Sequence, residues 1–266
     1  MPTQLDFLKI SMISDHVAHV KLSRPPANAV NTEMYIEIAS FFRNPDCVAQ
    51  DLRAIVLSGD GRHFCAGNDL DEFATMTPEN GTERMWRVRE AFFAIQECPV
   101  PVIGAVHGAA LGTGLCIAAA CDFVVAADDA LFGLPEMTVG VMGGARHLAR
   151  IAQQPLVRRM FFTGQPLSAA DLAAAGGAII TCPPDELLNR ARAFAERIAG
   201  FSPTASRLGK RILNQIEEME LQPGYAFEQR YTVIMSGHPD AKEALNAVRE
   251  KRLASYPPAG IAAVAF

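Results

Sequence analysis

Residues 101–122 form an apolar segment interrupted by glycines, PVIGAVHGAALGTGLCIAAACD. Val102–Val106 predicts a buried strand, a glycine-rich turn follows, and Gly112–Ala120 predicts a helix with almost no charge. A helix that begins at a glycine turn presents unpaired backbone N–H groups at the positive end of its dipole. The segment therefore predicts a strand–turn–helix unit that can hold an anion, or an oxygen that becomes anionic during a reaction.

Strand and helix patterns alternate along most of the chain, which predicts an α/β fold. Strands are expected at two places within residues 6–22, around Ser14-Asp15, and at Arg53–Ser58, Val102–Val106, Phe123–Ala127 and Ala178–Thr181. Helices are expected at Asn31–Phe42, Thr82–Glu97, Gly112–Ala120, Arg146–Ala152, Pro155–Thr163 and Ala169–Ala175. From about Asp185 the pattern is almost wholly helical: Asp185–Ala199, Ser202–Glu220, Tyr225–Ser236 and Asp240–Ser255. A soft boundary is predicted near Gly200, with a core of residues 1–200 and a helical region of residues 201–266.

Composition excludes several classes of function. The net charge is −5 and no basic run exceeds two residues, so nucleic-acid binding is not expected. The first ten residues lack the features of a signal peptide, and no apolar run is long enough to span a membrane. Six scattered cysteines indicate reduced thiols in a cytosolic protein, with no zinc site. Half of the residues are hydrophobic, which favours burial of apolar surface between subunits.

Glu136 is a lone carboxylate in the apolar sequence FGLPEMTVGV, which starts at Phe132. Partial burial raises the pKa of a carboxyl group and suits it to act as a general base. The alternative is a structural glutamate in the first turn after Pro135, stabilised by the helix dipole.

Two ordered motifs carry a resemblance to a known family. Residues 63–70, HFCAGNDL, resemble the pattern F-x-A-G-x-D-[IL], and residues 132–136, FGLPE, resemble F-G-x-P-E. The chain resembles the crotonase, or enoyl-CoA hydratase/isomerase, superfamily from about Val20 to Arg252. The resemblance implies a spiral of ββα units with a helical C-terminal region that packs trimers, often paired into hexamers. It also implies an acyl-CoA thioester as substrate, coenzyme A being part of that substrate, with no metal and no separate cofactor.

The resemblance also implies the site residues. Glu136 would be the acid/base, and the backbone amides of Asn68 and Thr113 would form an oxyanion hole. The positions expected to contact substrate are Ala66, Gly67, Asp69, Leu70, Gly112 and Cys116. The alternative for the glycines is a tight turn that serves only helix–sheet packing.

Four departures from the family pattern bear on function. Cys116 stands where hydratases with two carboxylates have a glutamate, and a buried thiol is a poor acid or base. This favours enoyl-CoA double-bond isomerisation by Glu136 alone. A single-glutamate hydratase and a non-catalytic acyl-CoA-binding protein remain alternatives. Thr113 replaces a common glycine and narrows the pocket.

The third departure concerns coenzyme A. Asp71 stands where the family often has a lysine near the adenosine phosphates, and an aspartate there repels phosphate. Arg24, Arg62 and Lys251 are candidate substitutes, each with a solvated surface charge as the alternative. The loop of residues 140–147 is shorter than the usual family segment, so the acyl specificity of relatives does not transfer. Within this loop Arg146 and His147 are either near the site or on the surface.

Overall fold

The structure is a computed structural model that describes residues 5–259. Its strands are β1 Leu8–Ser14, β2 Val17–Leu22, β3 Ala54–Gly59, β4 Val102–Val106, β5 Ala109–Leu111, β6 Phe123–Ala127, β7 Leu131–Gly133, β8 Leu167–Ser168 and β9 Ile180–Cys182. They form two sheets, ordered β1-β2-β3-β4-β6-β9 and β5-β7-β8. From β2 onward the larger sheet is parallel. Its strands β3 and β4 are buried throughout, which agrees with the wholly apolar sequence of β4 and the four apolar residues that begin β3.

Helices connect the strands and then continue alone to the end of the described chain. They are α1 Thr32–Arg43, α2 Leu70–Phe73, α3 Pro78–Gln96, α4 Thr113–Ala120, α5 Ala145–Leu148, α6 Gln154–Thr163, α7 Ala169–Ala174, α8 Leu187–Ala199, α9 Pro203–Ile216, α10 Leu221–Ser236 and α11 Pro239–Glu250. Short 3-10 turns cover Pro45–Cys47, Pro135–Val139 and Pro184–Glu186. The predicted α/β spiral with a helical C-terminal region is confirmed.

Local sequence signals explain most element boundaries. Helix α1 begins where predicted, because the Asn31 side chain accepts a hydrogen bond from Met34 N at 3.0 Å. Helix α3 begins at Pro78 rather than Thr82, since Thr77 caps it and proline is tolerated in a first turn. The sequence prediction of a helix to Ala152 was too long, because α5 ends at Leu148.

Strands β5 and β7 were not predicted from the sequence. Each has three residues, which is too short to show a period of two. They pair in parallel in the smaller sheet, with Ala110 opposite Phe132. This pairing matters for the site, because β5 leads into α4 and β7 leads into the 3-10 turn that carries Glu136.

Helix α9 is anchored to the core, although it lies beyond the predicted boundary near Gly200. The Lys210 side chain is almost fully buried, and its Nζ donates to Asp122 Oδ2 at 2.7 Å. The same Nζ donates to the carbonyls of Ile95 and Val100, each at 3.2 Å. Lys210 is the buried member of this ion pair, whereas the Asp122 side chain is 24% exposed. Helix α9 therefore packs against the core even though it follows residue 200.

Large apolar side chains remain exposed on the last two helices. They include Leu221, Tyr225, Val233 and Ile234 on α10 and Leu245 and Val248 on α11. Within residues 5–259, no helix is both long and apolar enough to cross a bilayer. Residues 260–266 of the predicted C-terminal region, and residues 1–4 of the segment tested for a signal peptide, lie outside the described range.

Candidate active site

A cavity of about 870 Å³ opens between three segments of the chain: residues 66–71, the start of α4, and residues 135–144. Its lining includes every site residue predicted from the sequence: Ala66, Gly67, Asn68, Asp69, Leu70, Gly112, Thr113, Cys116 and Glu136. The structure thus brings together residues that are up to 70 positions apart in sequence, as 136 − 66 = 70.

The N–H group of Asn68 is left free by the way its segment pairs. Residues 67–69 form a parallel bridge with Val30, in which Val30 N donates to Gly67 O and Asp69 N donates to Val30 O, both at 2.9 Å. In this pattern the residue between the two bonds directs its own N–H away from the neighbouring segment. Within the described residues nothing accepts a hydrogen bond from Asn68 N.

The N–H group of Thr113 is free for a different reason. Thr113 is the first residue of α4, and the first-turn amides of a helix have no partner within the helix. Gly112 precedes it with φ of +52°, a conformation that favours glycine. No residue between 5 and 259 accepts a hydrogen bond from Thr113 N. Asn68 and Thr113 together give the cavity two backbone donors of the kind that stabilise an oxyanion.

Glu136 enters the cavity from the 3-10 turn that follows β7. A Cβ atom added to Gly112 would lie 2.8 Å from Glu136 Oε1, so the carboxylate sits directly beside the start of α4. Its Oε2 is buried and has no hydrogen-bond partner among the described residues. Burial raises the pKa of Glu136 above the 4.5 of an exposed glutamate, as the apolar neighbours predict. A half-buried carboxylate with one oxygen that lacks a hydrogen-bond partner among the described residues is suited to accept a proton.

Cys116 lies next to this carboxylate and is only 4% exposed. Burial, followed by the negative charge of Glu136, raises the pKa of the Cys116 thiol. The thiol therefore stays neutral at physiological pH. A Cβ atom on Gly144 would lie 3.2 Å from Cys116 Sγ, so little space surrounds the thiol.

Asp69 and Arg24 lie at the mouth of the cavity and bind each other. Arg24 Nη2 donates to Asp69 Oδ2 at 2.5 Å, and Arg24 Nη1 donates to Ala29 O at 2.8 Å. Asp69 also caps α2, accepting a hydrogen bond from Glu72 N at 3.0 Å. This bond and the arginine hold the pKa of Asp69 below its usual range. The Arg24 side chain is ion-paired and 28% exposed, whereas Asp71 is exposed at the rim.

Helices α1 and α3 contribute residues that sequence reasoning missed. Met85, Val88 and Phe92 of α3 line the cavity at intervals of three and four residues. That helical spacing was a usable signal. Tyr35 of α1 reaches the same region, but no local pattern marks it. Near the short loop, the His147 ring packs edge-to-face on the Phe92 ring, with the ring centroids 5.0 Å apart. Arg146 is exposed and forms an ion pair with Glu218.

The raised pKa of Glu136 has a consequence for stability. A carboxyl group that binds its proton more tightly in the folded chain contributes stability below pH 4.5, and this is lost as pH rises through its folded-state pKa. Glu136→Gln removes the buried charge and is expected to raise the free energy of unfolding at neutral pH. At about pH 4 the two proteins should be equally stable. Urea unfolding at both pH values measures the difference. A less stable variant at neutral pH would contradict the assigned burial.

The two sequence motifs meet in this fold at a half-buried carboxylate beside two backbone amides. The sequence profile of the enoyl-CoA hydratase/isomerase family matches residues 12–257. The chain therefore belongs to the enoyl-CoA hydratase/isomerase family.

Individual relatives agree with this membership. The chain is 33% identical over 223 residues to a (7aS)-7a-methyl-1,5-dioxo-2,3,5,6,7,7a-hexahydro-1H-indene-carboxyl-CoA hydrolase of Rhodococcus jostii, covering 82% of this chain and 84% of the relative. It is 33% identical over 245 residues to the 2,3-dehydroadipyl-CoA hydratase of Escherichia coli, covering 88% and 92%. The crystal structure of an enoyl-CoA hydratase from Bacillus anthracis superposes with a TM-score of 0.88 at 30% identity, covering 94% of this chain and 99% of that one.

Proposed function

We propose that the protein isomerises the double bond of an enoyl-CoA with Glu136 as its single acid/base. The observation that carries this proposal is the composition of the cavity around Glu136. The neighbouring position that would supply a second carboxylate holds the neutral thiol of Cys116. The other cavity carboxylates are occupied or peripheral, because Asp69 binds Arg24 and Asp71 lies at the rim.

One base carries out both proton transfers of this reaction. Glu136 takes a proton from C2 of a 3-enoyl-CoA, and the C–H electron pair moves into the thioester to form a dienolate. The amides of Asn68 and Thr113 hold the oxygen that becomes negative. Glu136 then returns the proton to C4, which leaves the double bond between C2 and C3. Each oxyanion donor of this type typically contributes about 3–4 kcal/mol of transition-state stabilisation.

Hydration of an enoyl-CoA is the second candidate. The relatives named as hydratases and as a hydrolase favour a reaction with water. In that case Glu136 alone would activate the water and return the proton to C2. Two-carboxylate hydration is disfavoured, because the Cys116 thiol neither accepts nor supplies a proton readily.

Product analysis in H₂¹⁸O separates these reactions. Wild-type protein is incubated with panels of 2-enoyl- and 3-enoyl-CoA esters and the products are read by mass spectrometry. We expect double-bond migration without a gain of ¹⁸O. A hydroxyacyl-CoA that carries ¹⁸O would instead establish the single-glutamate hydratase. Binding of the same esters without any turnover would support a non-catalytic acyl-CoA-binding protein.

We further propose that the helical region 201–266 mediates assembly into a trimer, or a pair of trimers, in the cytoplasm. The exposed apolar side chains of α10 and α11 support this, because a solvent-exposed patch of that kind favours association. Sedimentation equilibrium measures the mass. A monomer at micromolar concentration would contradict the assembly.

A further inference from the structure

The side chains of the two proposed oxyanion residues are joined through a third residue. The hydroxyl group of Tyr35 lies 2.6 Å from Asn68 Oδ1 and 2.8 Å from Thr113 Oγ1. Tyr35 is 33 residues from Asn68 and 78 residues from Thr113 in sequence. One buried phenol therefore connects the two segments whose backbone amides line the cavity.

The directions of these hydrogen bonds follow from the donors available. A carbonyl oxygen only accepts, so Tyr35 must give its single proton to Asn68 Oδ1. Thr113 Oγ1 must then donate to Tyr35. Both hydroxyl groups in the chain Thr113–Tyr35–Asn68 then have an acceptor, and successive hydrogen bonds of this kind strengthen one another in a low dielectric.

Tyr35 is held rigidly. It is 1% exposed and projects from α1, and its ring packs edge-to-face on Phe92 of α3 with the centroids 6.2 Å apart. The packing of α1 against α3 thus fixes the hydroxyl at the junction of the two segments. Asn68 lies in an isolated β-bridge with Val30, and Thr113 lies at the start of α4. The Tyr35 hydroxyl is a contact that their two side chains share.

We infer that Tyr35 is a positioning residue that sets the separation and direction of the Asn68 and Thr113 amides through its hydroxyl group. This inference rests on the proposed function, since it takes those amides as the donors to the thioester oxygen. Tyr35 is absent from the cavity lining. Burial raises the pKa of its phenol, so the group stays neutral and does not exchange protons with substrate.

The test uses a probe that reports the amides without turnover. The absorption of 2,4-hexadienoyl-CoA moves to longer wavelength when its thioester oxygen is polarised by hydrogen bonds. Wild-type protein, Tyr35→Phe and Thr113→Val are each saturated with this ester. We expect a clear red shift with wild type and a reduced shift with both variants. Turnover in the variants should fall about tenfold with KM nearly unchanged, which corresponds to about 1.4 kcal/mol in the transition state.

Controls separate positioning from general damage. Thr82→Val removes a hydroxyl group from an exposed residue of α3 outside the cavity lining and should behave as wild type. Thr113→Ser keeps the hydroxyl and should restore most of the red shift. The double variant Tyr35→Phe/Thr113→Val should be no worse than either single variant, because both break one chain. The pH profile should keep its acid limb, which belongs to Glu136.

The outcomes distinguish the two claims. A wild-type complex without a red shift would refute the assignment of the amides, and the inference on Tyr35 with it. A wild-type shift that Tyr35→Phe leaves intact would refute only the role of Tyr35. If Tyr35→Phe does not fold, the comparison of Thr113→Val with Thr113→Ser decides the question, since only the first loses the hydroxyl. Equal shifts in those two variants would overturn the inference.

Discussion

Replacing Glu136 with glutamine is expected to lower turnover by about 10²–10⁴-fold, the usual contribution of a general acid–base group. Glutamine has nearly the same shape but cannot take a proton. It keeps the site filled, so the affinity for an acyl-CoA product should change little. Steady-state kinetics and titration with the product measure the two quantities separately.

A matched control uses a carboxylate outside the cavity. Glu186→Gln alters an exposed residue of the 3-10 turn before α8 and should leave turnover at the wild-type level. If Glu136→Gln retained more than about half of the wild-type rate, the proton would be moved by another group. Glu136 would then be the structural first-turn glutamate that its position after Pro135 also allows.

Replacing Gly114 with alanine is expected to lower the free energy of unfolding strongly. A Cβ atom at this position would lie 2.0 Å from the backbone oxygen of Cys65, far inside van der Waals contact. Neither the start of α4 nor the segment of Cys65 can move without displacing the other. We expect at least ~3 kcal/mol of destabilisation, the upper end of the usual range for overpacking. Activity should be lost, because these segments carry Thr113 and Asn68.

Gly209→Ala is the matched control for this change. Gly209 lies inside α9, and a Cβ atom there would meet nothing within 4 Å. Alanine is the better helix former, so this variant should gain about 0.5–1 kcal/mol. Urea unfolding of both variants gives the comparison. Equal stability of the two variants would show that the approach of α4 to Cys65 is looser than described.

The sequence predicted those parts of the site that are encoded in contiguous motifs. The glycine turn before α4, the segment with Asn68 and the carboxylate of Glu136 each lie within a few residues of a recognisable pattern. Backbone donors can be predicted in this way, because a helix start after a glycine exposes its amides whatever the distant sequence is.

Contacts between distant segments were not predictable from one sequence. Tyr35 contacts Asn68 and Thr113 because the fold places α1 next to both segments. From the sequence alone, a tyrosine on the apolar face of a helix would be interpreted as a packing residue. The ion pair of Arg24 with Asp69 has the same origin, as 45 residues separate its members. Sheet periodicity also fails for the three-residue strands that position Glu136.

Exchange of carbon-bound hydrogen with solvent tests the central claim most directly. Wild type and Glu136→Gln are incubated in D₂O with straight-chain, branched and alicyclic 3-enoyl-CoA esters, and deuterium at C2 and C4 is read by mass spectrometry. The account predicts deuterium incorporation by wild type and at least a hundredfold slower incorporation by Glu136→Gln. The loss of a general acid–base group typically lowers the rate of proton transfer by about 10²-fold or more. Incorporation at the same rate by both proteins would contradict proton transfer by Glu136, as would wild type that binds these esters but exchanges no hydrogen.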